Sequence, residues 1–343
     1  MVDNFNQTSS VSTTSAAKDD SRLNYVFILS AGRSGTTWLA QILNTYEHCS
    51  YKHEPFNPSR LTPYKQWLID LESGDAIELR RRFESIVERS YPGIDLQPFP
   101  EKSIWQGNRL LLRLFHGLGR RVDALQFLYE WYGHWQLTEQ TPVLIKDVVF
   151  PNHLLSRLCE VLLQPYMLVI VRNPFAVVAS DLKFLASKGL SKPTSKRIAG
   201  VRQQLDTPVG KYLSHYKEQL EDMSAAQLNA VYWRVRVEPL VEFAQTYGKG
   251  LVVVYENLCV DPLGKTSEIF NFVGWELSQS THDFIKTSIS GERQSSNSRY
   301  SVYRDPRTSM SKWKTQLTAE QKADIASVIR ESPLKDLWSD LPL

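Results

Sequence analysis

A small-residue loop near the beginning of the sequence has the composition of an anion-binding loop. The apolar run at residues 25–29 stops at this loop, and helix-forming residues resume at Trp38. The order strand, loop, helix directs backbone N–H groups and a helix N-terminus at one point, where an anion fits. The sequence therefore predicts a phosphate- or sulfate-bearing ligand, held by Gly32, Arg33, Ser34, Gly35, Thr36 and Thr37.

A second candidate anion site follows a later apolar run. Residues 166–171 are typical of a buried strand that ends at Arg172, and Pro174 suits the first turn of a helix. Ser180 comes less than two turns into that helix. Ligands of open α/β sheets bind at the carboxyl ends of the strands, where a guanidinium can hold a phosphate through two parallel hydrogen bonds. Arg172 is therefore the candidate for a second anion contact.

The residue after Gly35 distinguishes between classes of anion-binding loop. A nucleoside triphosphatase uses G-x-x-x-x-G-K-[ST], with the lysine on the β- and γ-phosphates and the hydroxyl on magnesium. This chain has Thr36 after Gly35, and its cation comes earlier, at Arg33. An ATP-dependent kinase is therefore a weaker alternative, and a non-catalytic nucleotide-binding or scaffold protein is another. A plain turn between a strand and a helix is the least specific interpretation.

Together these motifs resemble those of the sulfotransferases that use 3'-phosphoadenylyl sulfate (PAPS). The sequence GRSGTTWL resembles their nucleotide-binding loop, and R-N-P followed six positions later by Ser180 resembles the element that holds the 3'-phosphate. Residues 253–258, VVYENL, resemble a third family segment. The resemblance implies PAPS as the cofactor and no required metal. It also implies that Arg33 lies near the phosphosulfate bridge and that Arg172 and Ser180 hold the 3'-phosphate.

The family also carries a late basic loop that completes the 3'-phosphate pocket. Residues 295–313 are polar and basic without clear periodicity, which predicts an ordered loop or a flap. Within and just after them, SMSKWK loosely resembles the family's pattern. The contacting cation stays open among Arg299, Arg304, Arg307, Lys312 and Lys314.

The chain departs from one branch of the family at the position of the catalytic base. Transfer to a hydroxyl needs a base within hydrogen-bond reach. Cytosolic small-molecule sulfotransferases place a histidine two residues after a lysine at a strand end. Here that lysine is matched by Lys146, but Val148 occupies the histidine position.

A glutamate is the alternative base that the resemblance implies. The carbohydrate and tyrosyl-protein branches use a glutamate from the loop after the second strand, and HEPF at residues 53–56 looks like that element. We therefore expect Glu54 to act as the general base, with Lys146 as its charge partner and Arg33 at the leaving group. His53 stays open as an alternative base.

Short apolar runs alternate with helix-forming segments along the chain. We expect strands at residues 24–30, 142–146, 166–171 and 251–254, and a short extended piece at 50–53. Such runs indicate a parallel sheet that is covered on both faces. The resemblance implies a single three-layer α/β domain over residues 23–343, with a P-loop-like fold and a central parallel sheet flanked by helices.

Three further segments carry predictions of their own. Residues 1–22 are polar and predict a disordered tail. Residues 60–138, approximately, look mostly helical and are expected to form an insertion on the acceptor side. Residues 187–208 are rich in Lys, Ser and Pro, which predicts a mobile loop or a lid.

The composition of the chain limits which binding partners and which cellular compartment we expect. The formal net charge of +3 over 343 residues gives no general case for nucleic-acid binding. No apolar run approaches the roughly 18 residues of a membrane span, and the N-terminus lacks the pattern of a signal peptide. Three separated cysteines without C-x-x-C spacing fit a reducing compartment. We expect a cytoplasmic protein with no membrane span.

The acceptor is expected to carry a hydroxyl group. The Glu-Pro loop and the missing histidine favour a carbohydrate or another polyol. A small hydrophobic alcohol, phenol or natural product is the second interpretation, and a tyrosyl-protein acceptor is the third. Four aromatic residues could serve either of the first two acceptor classes, Trp105, Phe127, Trp131 and Trp135.

Overall fold

Five parallel strands form one sheet in the order β2-β3-β1-β4-β5. The computed structural model describes residues 23–58, 63–96, 99–104, 107–133, 141–190, 193–290 and 307–343. The strands are β1 (Asn24–Leu29), β2 (Ser50–His53), β3 (Pro142–Asp147), β4 (Tyr166–Val171) and β5 (Gly250–Val254). The predicted extended segments are confirmed to within one residue at each end.

The register brings the ends of four strands to one edge of the sheet. Lys146 of β3 lies opposite both Ile28 of β1 and His53 of β2. On the other side of β1, Leu29 lies opposite Val169 of β4. Because the strands run in the same direction, the loops that follow β1, β2, β3 and β4 all leave from this edge. Both predicted anion-binding loops and the Glu54 loop therefore start at the same edge of the sheet.

Helices connect the strands and cover the sheet. Between β1 and β3 lie α1 (Thr36–Leu43), α2 (Pro63–Asp70), α3 (Ala76–Val87), α4 (Arg109–Arg121) and α5 (Gln126–Tyr132). Between β3 and β5 lie α6 (Leu155–Val161), α7 (Pro174–Ala186), α8 (Ser195–Asp206) and α9 (Ala225–Thr246). After β5 come α10 (Tyr255–Val260), α11 (Pro262–Val273), α12 (Gln279–Ser290), α13 (Arg307–Met310), α14 (Trp313–Gln316) and α15 (Ala319–Ile329). Short 3-10 helices are formed at Asp123–Leu125, Asn152–Leu154, Lys211–Gln219 and Lys335–Leu337.

Alternate residues of β1 pack into two different cores, as the period of two in a strand requires. Phe27 belongs to a cluster that includes Trp233 of α9. Its neighbour Ile28 belongs to a second cluster that includes Leu39 of α1. Helices therefore cover both faces of the sheet, and the predicted three-layer α/β architecture is confirmed.

The prediction of a loop at residues 187–208 is wrong for residues 195–206, which are helical. Ser195–Asp206 form α8, whose first turn is capped because the Thr194 hydroxyl accepts a hydrogen bond from the backbone N–H of Arg197 over 3.2 Å. Val201 and Leu205, one turn apart, are both buried. Ile198, one turn before Val201, is partly buried against the same core. These few apolar positions in a mainly polar segment were too weak a pattern to reveal this helix from sequence.

Other predictions fall partly or wholly outside the described residues. The expected tail at residues 1–22 lies outside them, as do Trp105, Trp135, Arg299 and Arg304. Of the late basic segment, the structure describes the part from Arg307 onward, which forms the short helix α13 rather than an irregular loop. Among the described helices, none combines the length and the apolarity that crossing a bilayer requires.

Candidate active site

The loop between β1 and α1 turns through two left-handed residues. Arg33 has a φ of 69° and Gly35 a φ of 86°, a region that L side chains seldom adopt. A Cβ on Gly35 would also overlap the ring of Tyr255, so only glycine fits at this position. Ser34 is buried, and its Oγ has no hydrogen-bond partner among the described residues. An anion in this turn would supply the missing acceptor for that hydroxyl.

Arg172, at the end of β4, reaches across to the same loop. Its guanidinium donates to the carbonyl oxygen of Arg33 over 2.9 Å and to that of Ser309 in α13 over 2.8 Å. It lies over the Tyr255 ring, 4.6 Å from the centroid. Among the described residues no carboxylate lies within 4.0 Å of it, and its Nε has no hydrogen-bond partner. A neutral environment of carbonyls and one aromatic ring leaves this positive charge uncompensated and suited to an anion.

A second layer of contacts fixes the loop that carries Arg172. The Asn173 side chain caps α7 by accepting from the backbone N–H of Phe175 over 2.9 Å, as expected before a proline in the first turn. The backbone N–H of Asn173 donates to Glu256 over 3.1 Å, and Trp338 donates to the other oxygen of Glu256 over 2.9 Å. The Tyr-Glu pair after β5 therefore supports both anion-binding loops.

The Arg33 side chain faces an acid that the sequence analysis missed. Its Nε lies 3.8 Å from Asp181 of α7, and Arg197 of α8 lies 3.7 Å from the other oxygen of that carboxylate. Burial raises the pKa of Asp181, and the two arginines oppose that rise. Arg197 is held in place by stacking over Tyr232, 3.8 Å from the centroid. The one signal in the sequence was the position of Asp181, directly after Ser180.

Glu54 and Lys146 form a buried ion pair at the ends of β2 and β3. The backbone N–H of Glu54 also donates to the carbonyl oxygen of Lys146 over 2.6 Å, and the second carboxylate oxygen accepts from Asn57 over 3.2 Å. Glu54 has a φ of 46°, so the backbone here is strained. Strain at a charged residue in a tightly determined setting is typical of functional sites.

His53 and Asp147, which lie beside Glu54 and Lys146, each make hydrogen bonds with other residues of the protein. His53 is fully buried, and its Nδ1 hydrogen-bonds with the Tyr51 hydroxyl over 2.8 Å. Its Nε2 lies 3.8 Å from Glu54. Asp147 accepts from the backbone N–H groups of Val149 over 2.7 Å and Phe56 over 3.1 Å, and burial raises its pKa. Asp147 therefore ties the loop after β2 to the loop after β3.

The remaining predicted residues lie around these contacts. Thr36 is buried in the first position of α1, while Gly32 and Thr37 are half-buried. Ser180 is half-buried in the second turn of α7, next to the Asp181 that contacts Arg33. Of the late cations, Arg307 and Lys312 are exposed, and Lys314 pairs with Asp340 over 2.7 Å.

Comparison with known proteins places this arrangement in a family. No curated protein sequence matches the chain. Solved structures with a similar fold include the sulfotransferase domain of an olefin synthase from Synechococcus PCC 7002, which is 17% identical, has a TM-score of 0.45, and covers 91% of this chain and 95% of its own. A mouse sulfotransferase complexed with PAP is 15% identical and has a TM-score of 0.46, and the match covers 92% of this chain and 87% of the mouse chain. A Mycobacterium avium sulfotransferase is 13% identical and has a TM-score of 0.42, and the match covers 94% of this chain and 78% of the mycobacterial chain. The family model of the sulfotransferase domain matches residues 23–337, and the chain therefore belongs to the sulfotransferase domain family.

Proposed function

We propose that the protein is a PAPS-dependent sulfotransferase that transfers a sulfuryl group to a hydroxyl of a carbohydrate or another polyol. The observation that carries this proposal is the direct contact between Arg172 and the loop of Arg33. Two anion-binding elements that meet at one sheet edge suit a nucleotide with negative charge at two separated positions.

The residues present fit such a nucleotide. Ser34 offers an unpaired buried hydroxyl, and Arg172 offers a cation without a carboxylate neighbour among the described residues. Gly32 to Thr37 and the start of α1 supply backbone N–H groups at the phosphosulfate end. Arg172 and Ser180 would hold the 3'-phosphate. PAPS, when bound, supplies an activated sulfuryl group, and this transfer has no obligatory need for magnesium.

Glu54 is proposed to accept the proton of the acceptor hydroxyl. Its ion pair with Lys146 orients one carboxylate oxygen, and the other is engaged by Asn57, a half-buried side chain that an acceptor hydroxyl can replace. Arg33, a cation in the loop after β1, is proposed to stabilise negative charge that develops on the leaving group. The helices between β2 and β3 are proposed to form the acceptor side of the site.

The three cysteines support a reducing compartment, and we propose a cytoplasmic enzyme. Cys49, Cys159 and Cys259 are buried, reduced thiols. A disulfide framework would require bonded pairs of cysteines, whereas reduced buried cysteines behave as small apolar residues.

Two measurements test the proposal. Calorimetry with adenosine 3',5'-bisphosphate and with ATP, each with and without magnesium, should show magnesium-independent binding of the bisphosphate. Magnesium-dependent binding of ATP alone would favour a kinase instead. Transfer of label from sulfur-35 PAPS to panels of sugars, phenols and tyrosyl peptides then identifies the acceptor. Tight bisphosphate binding without transfer to any acceptor would contradict an enzymatic role.

A further inference from the structure

Helix α4 exposes an unusual combination of arginine and leucine. Its 13 residues, RLLLRLFHGLGRR, contain four arginines and no acidic residue. Leu110 is 74% exposed and Leu114 is 53% exposed, and both lie on the same face because they are one turn apart. Leu111 is exposed beside them. Large apolar side chains that cluster on a surface mark a site of interaction.

The arginines form a stripe beside these leucines. At 100° per residue, Arg109, Arg113 and Arg120 fall within about 40° of one another around the helix axis. The leucine stripe begins about 60° beyond them. Among the described residues, Arg109 pairs with Glu101, while Arg113, Arg120 and Arg121 have no carboxylate within 4.0 Å. The exposed face of α4 therefore presents positive charge and apolar surface together.

The opposite side of α4 is firmly attached to the protein. Leu112 packs with Phe99 and Tyr129 in a small core, and His116 contacts the carbonyl oxygen of Asp95 over 2.6 Å. Asp95 in turn forms a buried ion pair with Lys52 of β2 over 3.2 Å. The exposed face is thus a fixed outer surface of the protein, next to the strand that leads to Glu54.

The neighbouring helix α5 extends the same kind of surface. Trp131 is 67% exposed, and Phe127, one turn earlier, is exposed as well. The Tyr132 hydroxyl accepts from the backbone N–H of Asn108 over 2.7 Å, which brings the end of α5 beside the beginning of α4. Exposed tryptophan and phenylalanine are enriched where proteins meet the boundary between lipid headgroups and acyl chains.

We propose that α4 and α5 form a docking surface for a membrane that carries anionic lipids. Leucines and aromatic rings would enter the headgroup boundary, and the arginines would contact lipid phosphates. The four arginines of α4 outnumber the one acidic residue of the two helices, Glu130 of α5, which favours an anionic surface over a basic partner. Such contact lies in the plane of the membrane surface, so it requires no spanning helix. Because α4 and α5 also belong to the segment proposed as the acceptor side, only their exposed faces are assigned to the membrane. The proposal does not depend on sulfuryl transfer.

Co-sedimentation with lipid vesicles tests this surface. The full chain should bind vesicles of phosphatidylcholine with phosphatidylglycerol, and should bind pure phosphatidylcholine vesicles far more weakly. The variant R113Q/R120Q/R121Q should bind about a hundredfold more weakly, since each arginine near an anionic surface contributes about fivefold. L110S/L114S should bind at least roughly tenfold more weakly because it removes inserted apolar surface. Added salt should weaken binding of the parent chain.

Matched variants on other surfaces serve as controls. Ile69 is 61% exposed and Ile77 is 55% exposed, so I69S/I77S removes similar apolar exposure without touching α4. K65Q/K211Q/K286Q removes three exposed charges elsewhere. Both controls should bind vesicles like the parent chain, and thermal unfolding should verify that all variants fold. The proposal would be overturned if the control variants lost as much vesicle binding as the α4 variants, or if the parent chain did not bind the anionic vesicles. Conversion of a dimer to a monomer by L110S/L114S would instead assign the surface to a second copy of the chain.

Discussion

The guanidinium of Arg172 donates a hydrogen bond to the backbone carbonyl oxygen of Arg33 over 2.9 Å, although 139 positions separate the two residues. The contact joins the loop after β1 to the loop after β4, and these two strands are neighbours in the sheet. Parallel strand order therefore brings together two motifs that each suggest an anion. The Tyr255 ring lies against both, below the Arg172 guanidinium and in the space that a side chain on Gly35 would need.

Replacement of Arg172 should weaken nucleotide binding more than it weakens the fold. We expect Arg172→Ala to lower the affinity for adenosine 3',5'-bisphosphate by roughly 10- to 100-fold, the range for a lost charge-assisted hydrogen bond. Arg172→Lys should recover only part of the loss, because an ammonium cannot make two parallel hydrogen bonds. Calorimetry measures both. Arg202→Ala, which removes an exposed arginine paired with Glu221, is the control and should bind like the parent chain.

Gly35 and Gly32 should respond very differently to alanine. Gly35→Ala places a methyl group against the Tyr255 ring in a left-handed backbone, so we expect the free energy of unfolding to fall by more than about 1 kcal/mol. Bisphosphate binding should be lost with it. Gly32 has no atom within 4 Å of an added Cβ, so Gly32→Ala should unfold at the parent's temperature. Thermal unfolding with and without nucleotide measures the difference. Equal behaviour of the two variants would contradict the described packing.

Turnover and stability measurements should distinguish the proposed base, Glu54, from the neighbouring carboxylate of Asp147. Glu54→Gln should leave bisphosphate affinity nearly unchanged and lower turnover by roughly 100-fold or more, as expected for loss of a general base. Asp147→Asn should instead lower stability, because Asp147 accepts hydrogen bonds from three backbone N–H groups. Turnover of labelled PAPS and chemical denaturation are the two measurements. Unchanged turnover in Glu54→Gln would remove Glu54 from this role and direct attention to His53.

The strands were predictable because burial on both faces makes them continuous apolar runs. Residues 166–171, for example, appear as a strand in the sequence and form β4. Helix α8 was missed because its buried face consists of a few apolar residues, Val201 and Leu205 with the partly buried Ile198. A short polar segment of that kind becomes helical through its cap and its packing, and neither produces a strong pattern.

Candidate site residues could be identified from the sequence where the motif is local. Arg33 and Arg172 each stand next to a strand end and a helix start, so their types and positions were informative. Asp181 and Arg197 were missed because their meaning depends on contact with Arg33, which strand order and helix packing create. The contact of Arg172 with Ser309 spans 137 positions and had no local signal either.

Asp181 should partly neutralise the positive charge of Arg33 when no nucleotide is bound. Replacing this acid by asparagine removes a negative charge 3.8 Å from the Arg33 Nε, so we expect Asp181→Asn to bind adenosine 3',5'-bisphosphate about fivefold more tightly. Turnover should fall, because Arg33 loses the partner that orients it. Calorimetry and steady-state kinetics together separate tighter binding from slower chemistry.

The same acid should leave a signature in the pH dependence of stability. Burial raises the folded-state pKa of Asp181 above the ordinary value of an aspartate, which approximates its unfolded value. The folded state then holds the proton more tightly, so Asp181 contributes stability at low pH that is lost as pH rises through the folded pKa. The asparagine of Asp181→Asn cannot titrate. Between the unfolded-state and the folded-state pKa of Asp181, the free energy of unfolding of this variant should therefore decrease less with rising pH than that of the parent chain. Denaturant unfolding across the acidic range measures the two slopes, and identical slopes would show that Asp181 does not titrate with a raised pKa.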